Sequence, residues 1–249
     1  YNFIEGAISF QTATSPELLA ASAKAFGRFA RQLNGFSAAS LHETIPHFHD
    51  TRKRFDAFVK ALNEDSQNRA TNCQTEIDFV LQRQADCAIL MGLLDANELP
   101  LRVTHNDTKL NNVLIDPHTL QGVCVIDLDT VMPGLIHNDF GDAIRTGATT
   151  TKEDEEDLSK VNFNLPLYKA YSDAYLEAVG NILTEKEKQT LPLGAKIITL
   201  ECGIRFLTDY LQGDVYFKTH KPNHNLYRAR TQFKLVEGME ALWNDMKIT

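Results

Sequence analysis

Apolar residues recur at helical spacing along most of the chain. Ser15-Pro16-Glu17 supplies an N-cap, a first-turn proline and an acid for the positive helix end. Leu18, Leu19, Ala23, Phe26, Phe29, Ala30 and Leu33 then line one face, and Asn34-Gly35 closes the helix. Asp50 caps a second helix carrying Phe55, Phe58, Val59 and Leu62, and Ile77, Val80, Leu81 and Ala88 begin a third. The apolar run 87–94, bounded by Asp86 and Asp95, is too short to span a membrane and reads as a core helix. The helical period returns near 138–146, 163–180, 191–212 and 226–247. Between these blocks the texture changes. Val103-Thr104 leads into His105-Asn106-Asp107, and two β-type runs follow, 112–115 and 123–126. Asp116-Pro117 and Gln121-Gly122 supply turn residues between them, which predicts a short hairpin. The acidic run 152–157 reads as a solvated helix start. Tyr1-Asn2-Phe3-Ile4-Glu5-Gly6, which starts without Met, reads as the end of a strand already in progress and the chain as a fragment. The expected fold class is α+β, mostly helical, with no internal repeat and no linker that separates domains.

Composition narrows the partners. The 249 residues carry 25 Lys+Arg against 33 Asp+Glu, a net charge of −8, so no general basic surface invites a nucleic-acid backbone. A 43% apolar share with 9% aromatics is enough to bury a core, which excludes intrinsic disorder. Cys73, Cys87, Cys124 and Cys202 form no C-x-x-C pair, which points away from structural zinc and toward a reducing, cytoplasmic setting. The expected partners are small molecules, without nucleic acid or membrane; oligomeric state is not legible.

The chemistry concentrates between His105 and Asp127. Phosphoryl transfer from a nucleotide needs a carboxylate to position the acceptor, a cation on the transferred group and oxygen ligands for Mg²⁺. Asp107 is placed in a loop to accept a hydroxyl proton, and Lys109 lies two residues on to face a γ-phosphate. Asn112 and Asp127 stand at the two ends of the predicted hairpin, where their oxygens can converge on a metal. Each residue alone is a common turn former, but the joint pattern H-x-D-x-x-x-x-N, with an Asp 20 residues after the first, is far more specific.

At these residues the chain resembles the protein-kinase-like small-molecule kinases, the family of aminoglycoside phosphotransferases and choline kinases. The resemblance implies a catalytic base at Asp107, metal ligands at Asn112 and Asp127, and a bracing role for His105, with ATP and Mg²⁺ as cofactors. The stretches 104–112, 125–134 and 200–210 further resemble the branch of that family that phosphorylates N-acetylhexosamines at the anomeric hydroxyl. That likeness runs from Tyr1 to about Trp243 and implies that Arg205 and Tyr216 hold the sugar. It also implies that residues 1–6 are a hinge remnant, with Phe3, Ile4 and Glu5 touching adenine, and that 7–249 form the helical C-terminal catalytic lobe, the β-rich N-terminal lobe being largely absent.

Other features stay open. Asp129 offers a further ligand for a metal or a sugar hydroxyl, or else a turn cap. Asp139-Phe140-Gly141 spells a kinase metal triplet but lies 32 residues after Asp107, so the metal is assigned to Asp127, and Asp139 or Asp142 to bracing the loop through backbone N–H groups. Asn106 stands where many protein kinases carry Arg, which leaves no basic pocket for a phosphorylated activation loop. His42, His47 and His49 lack a third well-spaced metal ligand and read as a substrate-facing loop. The basic stretch 218–230 reads as balancing nearby acids, with attraction of an anionic ligand as the alternative. Beside the sugar 1-kinase stand a same-fold kinase for another hydroxyl compound (an aminoglycoside or choline) and an inactive lobe serving as a binding module.

Overall fold

In the computed structural model, which describes residues 3–248, there are eight α-helices and four short strands, all but the last strand in the expected order. Helix α1 (Pro16–Leu33) begins as its sequence demands, the Ser15 hydroxyl accepting the Leu18 N–H at 3.2 Å. Helix α2 (Thr51–Glu64) is capped by Asp50, whose carboxylate accepts the Lys53 N–H. Helices α3 (Gln74–Leu81) and α4 (Ile89–Asp95) complete the first helical block. Strand β1 (Arg102–Thr104) precedes the chemistry-bearing loop, and the expected hairpin is β2 (Val113–Ile115) with β3 (Gly122–Val125). Its register sets Val113 opposite Val125. Strand β4 (Met132–Gly134) pairs antiparallel with β1, a second two-stranded sheet that the pattern did not show. Helices α5 (Ile136–Gly147), α6 (Leu165–Val179), α7 (Glu185–Gln212) and α8 (His224–Ala241) finish the chain.

Helix α1 packs on α6, and α5 and α8 both pack on α7. One apolar core centres on Phe26, Phe140, Tyr171 and Tyr175, between α1, α5 and α6. A second centres on Phe58, Ile77, Leu207 and Phe233, so the 28-residue α7 runs past both. The α5–α7 contact depends on two glycines. A Cβ at Gly141 would stand 2.5 Å from the Gly194 carbonyl oxygen, and one at Gly194 would stand 2.7 Å from the His137 carbonyl oxygen. That close approach holds the start of α5 under the 105–112 loop.

Three expectations change. Helix α7 starts at Glu185 rather than 191, because a Thr184–Glu187 capping box nucleates it, and Pro192 sits inside the helix. Glu187 also grips Arg102 through two bonds of 2.6 and 2.8 Å, tying α7 to β1. Residues 152–157 form turns, not a helix start, because Glu153 and Asp154 are drawn to Arg145, Lys221 and His224. At the N-terminal end, Tyr1 and Asn2 lie outside the described residues, and Phe3 and Ile4 are not in a strand. The first β pairing is a single bridge between Ile8 and Ile115.

Candidate active site

The loop after β1 is held from below by the first turns of α5. Asp139, 2% exposed, accepts the His105 N–H at 2.9 Å and the Asn106 N–H at 2.7 Å, one on each carboxylate oxygen. Asp142 accepts the Thr108 N–H at 2.9 Å, and the Thr108 hydroxyl donates to the Asp139 carbonyl. Both acids thus brace the loop, as their distance from Asp107 suggests. Asn106 has φ of 64°, a left-handed conformation Asn tolerates, and its amide donates to the Thr130 carbonyl. The His105 ring rests edge-on against Phe26 and Phe29 and donates from Nε2 to the Ile126 carbonyl at 2.9 Å. Its Nδ1 then accepts the Asp107 N–H at 3.3 Å, the pattern of a neutral Nε2–H tautomer. One buried imidazole therefore links Asp107 to the segment that leads from the hairpin into Asp127.

Asp107, Lys109 and Asn112 meet directly. Lys109 Nζ lies 2.8 Å from one carboxylate oxygen of Asp107, and the Asn112 amide donates to the other at 2.9 Å. Burial opposes the Lys109 charge, but Asp142 and Asp107 outweigh it and raise its pKa. The Ile126 N–H donates to the Asn112 carbonyl at 2.9 Å, which brings Asp127 to the same end of the hairpin as Asn112. Asp127 is exposed in a left-handed conformation (φ 62°), and its carboxylate has no hydrogen-bond partner among the described residues. With its amide nitrogen committed to Asp107, Asn112 presents a carbonyl oxygen. These are hard oxygen donors that fit Mg²⁺, which takes one or two protein ligands and completes its shell with phosphate and water.

A cavity of about 510 Å³ is lined by Asp107 and Lys109 and also by Arg205 and Tyr216. Arg205 makes no hydrogen bond or ion pair among the described residues, and its guanidinium lies 5.3–5.8 Å from the rings of Phe48, Tyr216 and Phe217. The Tyr216 loop is set by Asp209, whose carboxylate accepts the N–H groups of Val215, Tyr216 and Phe217. Every carboxylate lining the cavity already has a cation or histidine: Asp107 has Lys109, Asp142 and Glu153 have Arg145, and Glu201 has His49.

Not every expected residue converges here. Asp129 is exposed on a 3₁₀ turn outside the cavity lining, and Phe3 (90% exposed), Ile4 and Glu5 are likewise outside it. His42 and His47 are exposed, whereas His49 reaches the cavity; among the described residues no cluster of His, Cys, Asp or Glu is arranged for a metal. The basic stretch does balance acids: Lys221 and His224 meet Asp154, and Arg230 meets Glu76. The His49–Glu201 pair, whose members lie 152 residues apart, escaped sequence reading, as did the Arg145 hub and the Asp209 anchor, whose partners at Glu153 and at 215–217 lie in loop segments that follow no helical or strand period.

Three carboxylates carry a pH dependence. Burial raises the cost of charge on Asp142, Glu187 and Glu201, yet Arg145 (with Lys109), Arg102 and His49 respectively hold each below its ordinary range. A depressed folded pKa contributes stability above the unfolded value, near 4, that is lost as pH falls through the folded one. Calorimetry should therefore show a flat melting temperature from pH 7 to about 5 and a steep fall below. A melting temperature unchanged to pH 3 would refute the pairing.

Comparison with known proteins places this geometry in a wider group. The profile of the family described as "Phosphotransferase enzyme family" (APH) matches residues 1–180. Among solved structures, the chain is similar to one described as "Structure of the microcompartment-associated aminopropanol kinase", with a TM-score of 0.52 and 13% identity over 99% of this chain and 69% of that one. Identity at that level speaks for a shared fold alone. No helix among the described residues is long and apolar enough to cross a membrane.

Proposed function

The chain belongs to the phosphotransferase enzyme family, and on that premise we propose that it is an ATP-dependent N-acetylhexosamine 1-kinase. It then moves the γ-phosphoryl group to the anomeric hydroxyl of N-acetylglucosamine or N-acetylgalactosamine. The observation that carries the acceptor class is the charge state of the cavity. Its carboxylates are all paired and Arg205 is not, so a ligand there finds free donors and no free anion. That suits an uncharged polyol with hydroxyl and carbonyl acceptors. An aminoglycoside, an amino alcohol or choline would bring a cation beside Lys109, Arg145 and Arg205. The aromatic group around Phe48, Tyr216 and Phe217, the natural seat for a quaternary ammonium, is filled by the Arg205 guanidinium.

In this reading Asp107 orients the anomeric hydroxyl and takes its proton as the oxygen attacks phosphorus. Lys109, kept charged by its acidic neighbours, faces the negative charge that develops on the transferred oxygens. Asn112 and Asp127 would hold Mg²⁺, which supplies charge neutralisation on the nucleotide phosphates when bound. Asp129 remains a candidate for a second ligand at the same edge. We read 7–249 as the catalytic lobe, with Phe3, Ile4 and Glu5 at its adenine-facing edge.

³¹P NMR with ATP, Mg²⁺ and each N-acetylhexosamine should show a sugar 1-phosphate. Transfer to 1-amino-2-propanol or choline but to neither sugar would overturn the sugar reading. Arg205→Ala should raise KM for the sugar about tenfold to a hundredfold, the loss expected when charged donors are removed, with a much smaller change in kcat.

A further inference from the structure

Of the three histidines in the 42–49 loop, only His49 turns into the cavity, and it does so through a buried relay. Its Nδ1 lies 2.8 Å from one oxygen of Glu201, while the Thr51 hydroxyl donates to the other at 2.6 Å. The Glu201 side chain is 1% exposed and that of His49 8%. Glu201 sits one helical turn before Arg205 on α7, so the two face the same cavity.

Because Glu201 takes the hydrogen on Nδ1, a neutral His49 carries a lone pair on Nε2. The one polar contact of that nitrogen among the described residues is the Asn106 carbonyl oxygen at 3.5 Å, itself an acceptor and one peptide from Asp107. That distance is beyond a good hydrogen bond, and two acceptors cannot satisfy each other. His49 lines the acceptor cavity, and this nitrogen is left in need of a donor.

We propose that His49, its tautomer set by Glu201, is a specificity-determining residue that accepts a hydrogen bond from a second hydroxyl of the acceptor, beside the one Asp107 engages. The assignment rests on the cavity being the acceptor site for a sugar, as argued above. A compound without that hydroxyl leaves a desolvated Nε2 with no partner, and the site discriminates against it on that account. Thr51 and Glu201 act behind His49 as positioning residues.

The test is titration calorimetry of the wild-type protein, with Mg²⁺ and ADP present, against N-acetylglucosamine, N-acetylgalactosamine and their monodeoxy analogues. H49A should bind the parent sugar about tenfold to a hundredfold more weakly. One monodeoxy analogue should bind wild type and H49A alike, the signature of a shared hydrogen bond in a double-mutant cycle. H49Q, whose amide oxygen reaches roughly the place of Nε2, should recover part of the loss, and circular dichroism checks that each variant is folded. E201Q can donate to Nδ1 and move the ring hydrogen to Nε2, so it should weaken the sugar and shift the ¹⁵N resonances of His49. A sugar that binds wild type and H49A equally, an equal loss against every monodeoxy analogue, or a free-protein His49 ring protonated on both nitrogens at neutral pH overturns the His49 assignment alone. Failure of both sugars to bind the wild type overturns the sugar reading, and the hydroxyl given to His49 falls with it.

Discussion

With Asp107 replaced by Asn, phosphoryl transfer should fall about 10²–10⁴-fold while acceptor affinity changes only a few-fold. The substitution keeps size and one acceptor oxygen, so a contact to Asn112 or Lys109 can persist. It removes the group able to take the hydroxyl proton. It also removes the charge that holds Lys109 in place, although Asp142 still raises that pKa from behind. Steady-state kinetics read the loss, and calorimetry reads the retained binding. A variant with near-wild-type kcat would mean that Asp107 is not the acceptor's proton partner, and the mechanism built on it would be wrong.

The second large effect is structural in origin. Asp139→Ala should lower stability by roughly 2–6 kcal/mol, because it strands two buried N–H groups, each costing about 1–3 kcal/mol. These are the backbone donors of His105 and Asn106, immediately before Asp107. A native domain has a margin of only about 5–15 kcal/mol, so urea unfolding should show the midpoint falling sharply. Activity should fall too even where the variant stays folded, since the loop loses the anchor that aims Asp107 and Lys109. Asp139→Asn, which retains one acceptor, should lie between. If Asp139→Ala were as stable as wild type, another group would have to satisfy those N–H bonds. Loss of activity at full stability would instead point to a direct role for Asp139 in the chemistry.

Much of the architecture was legible because its causes are short-range. Ser15 and Asp50 cap the helices that follow them, and the turn residues after Asp116 return the chain as a hairpin. The 105–127 spacing foretold which groups share one loop and one hairpin, and Asp107, Lys109 and Asn112 do touch. The misreadings share a different cause. Strand β4 is three residues long, contains Pro133 and pairs with a strand some 30 residues earlier, so no local pattern marks it. The apolar period suggests a start of α7 near 191, while the Thr184–Glu187 capping box upstream starts it at Glu185. The acidic run carried helix-start composition, yet Arg145 and Lys221 hold its carboxylates in a turn.

The sequence by itself determined the helical blocks, the hairpin and the order of base, cation and oxygen donors along the catalytic segment. Each depends on residues within a few turns or strands of one another, where capping, periodicity and turn chemistry act. Only the tertiary structure decided that Arg205, Tyr216 and Asp107 line one cavity, that each of its carboxylates already has a partner, and that His49 is oriented by a glutamate 152 residues away. The cavity forms where α7 packs on α5, a contact that Gly141 and Gly194 make close, and His49 meets Glu201 where α2 packs on α7; packing of that kind leaves no periodic trace in the chain.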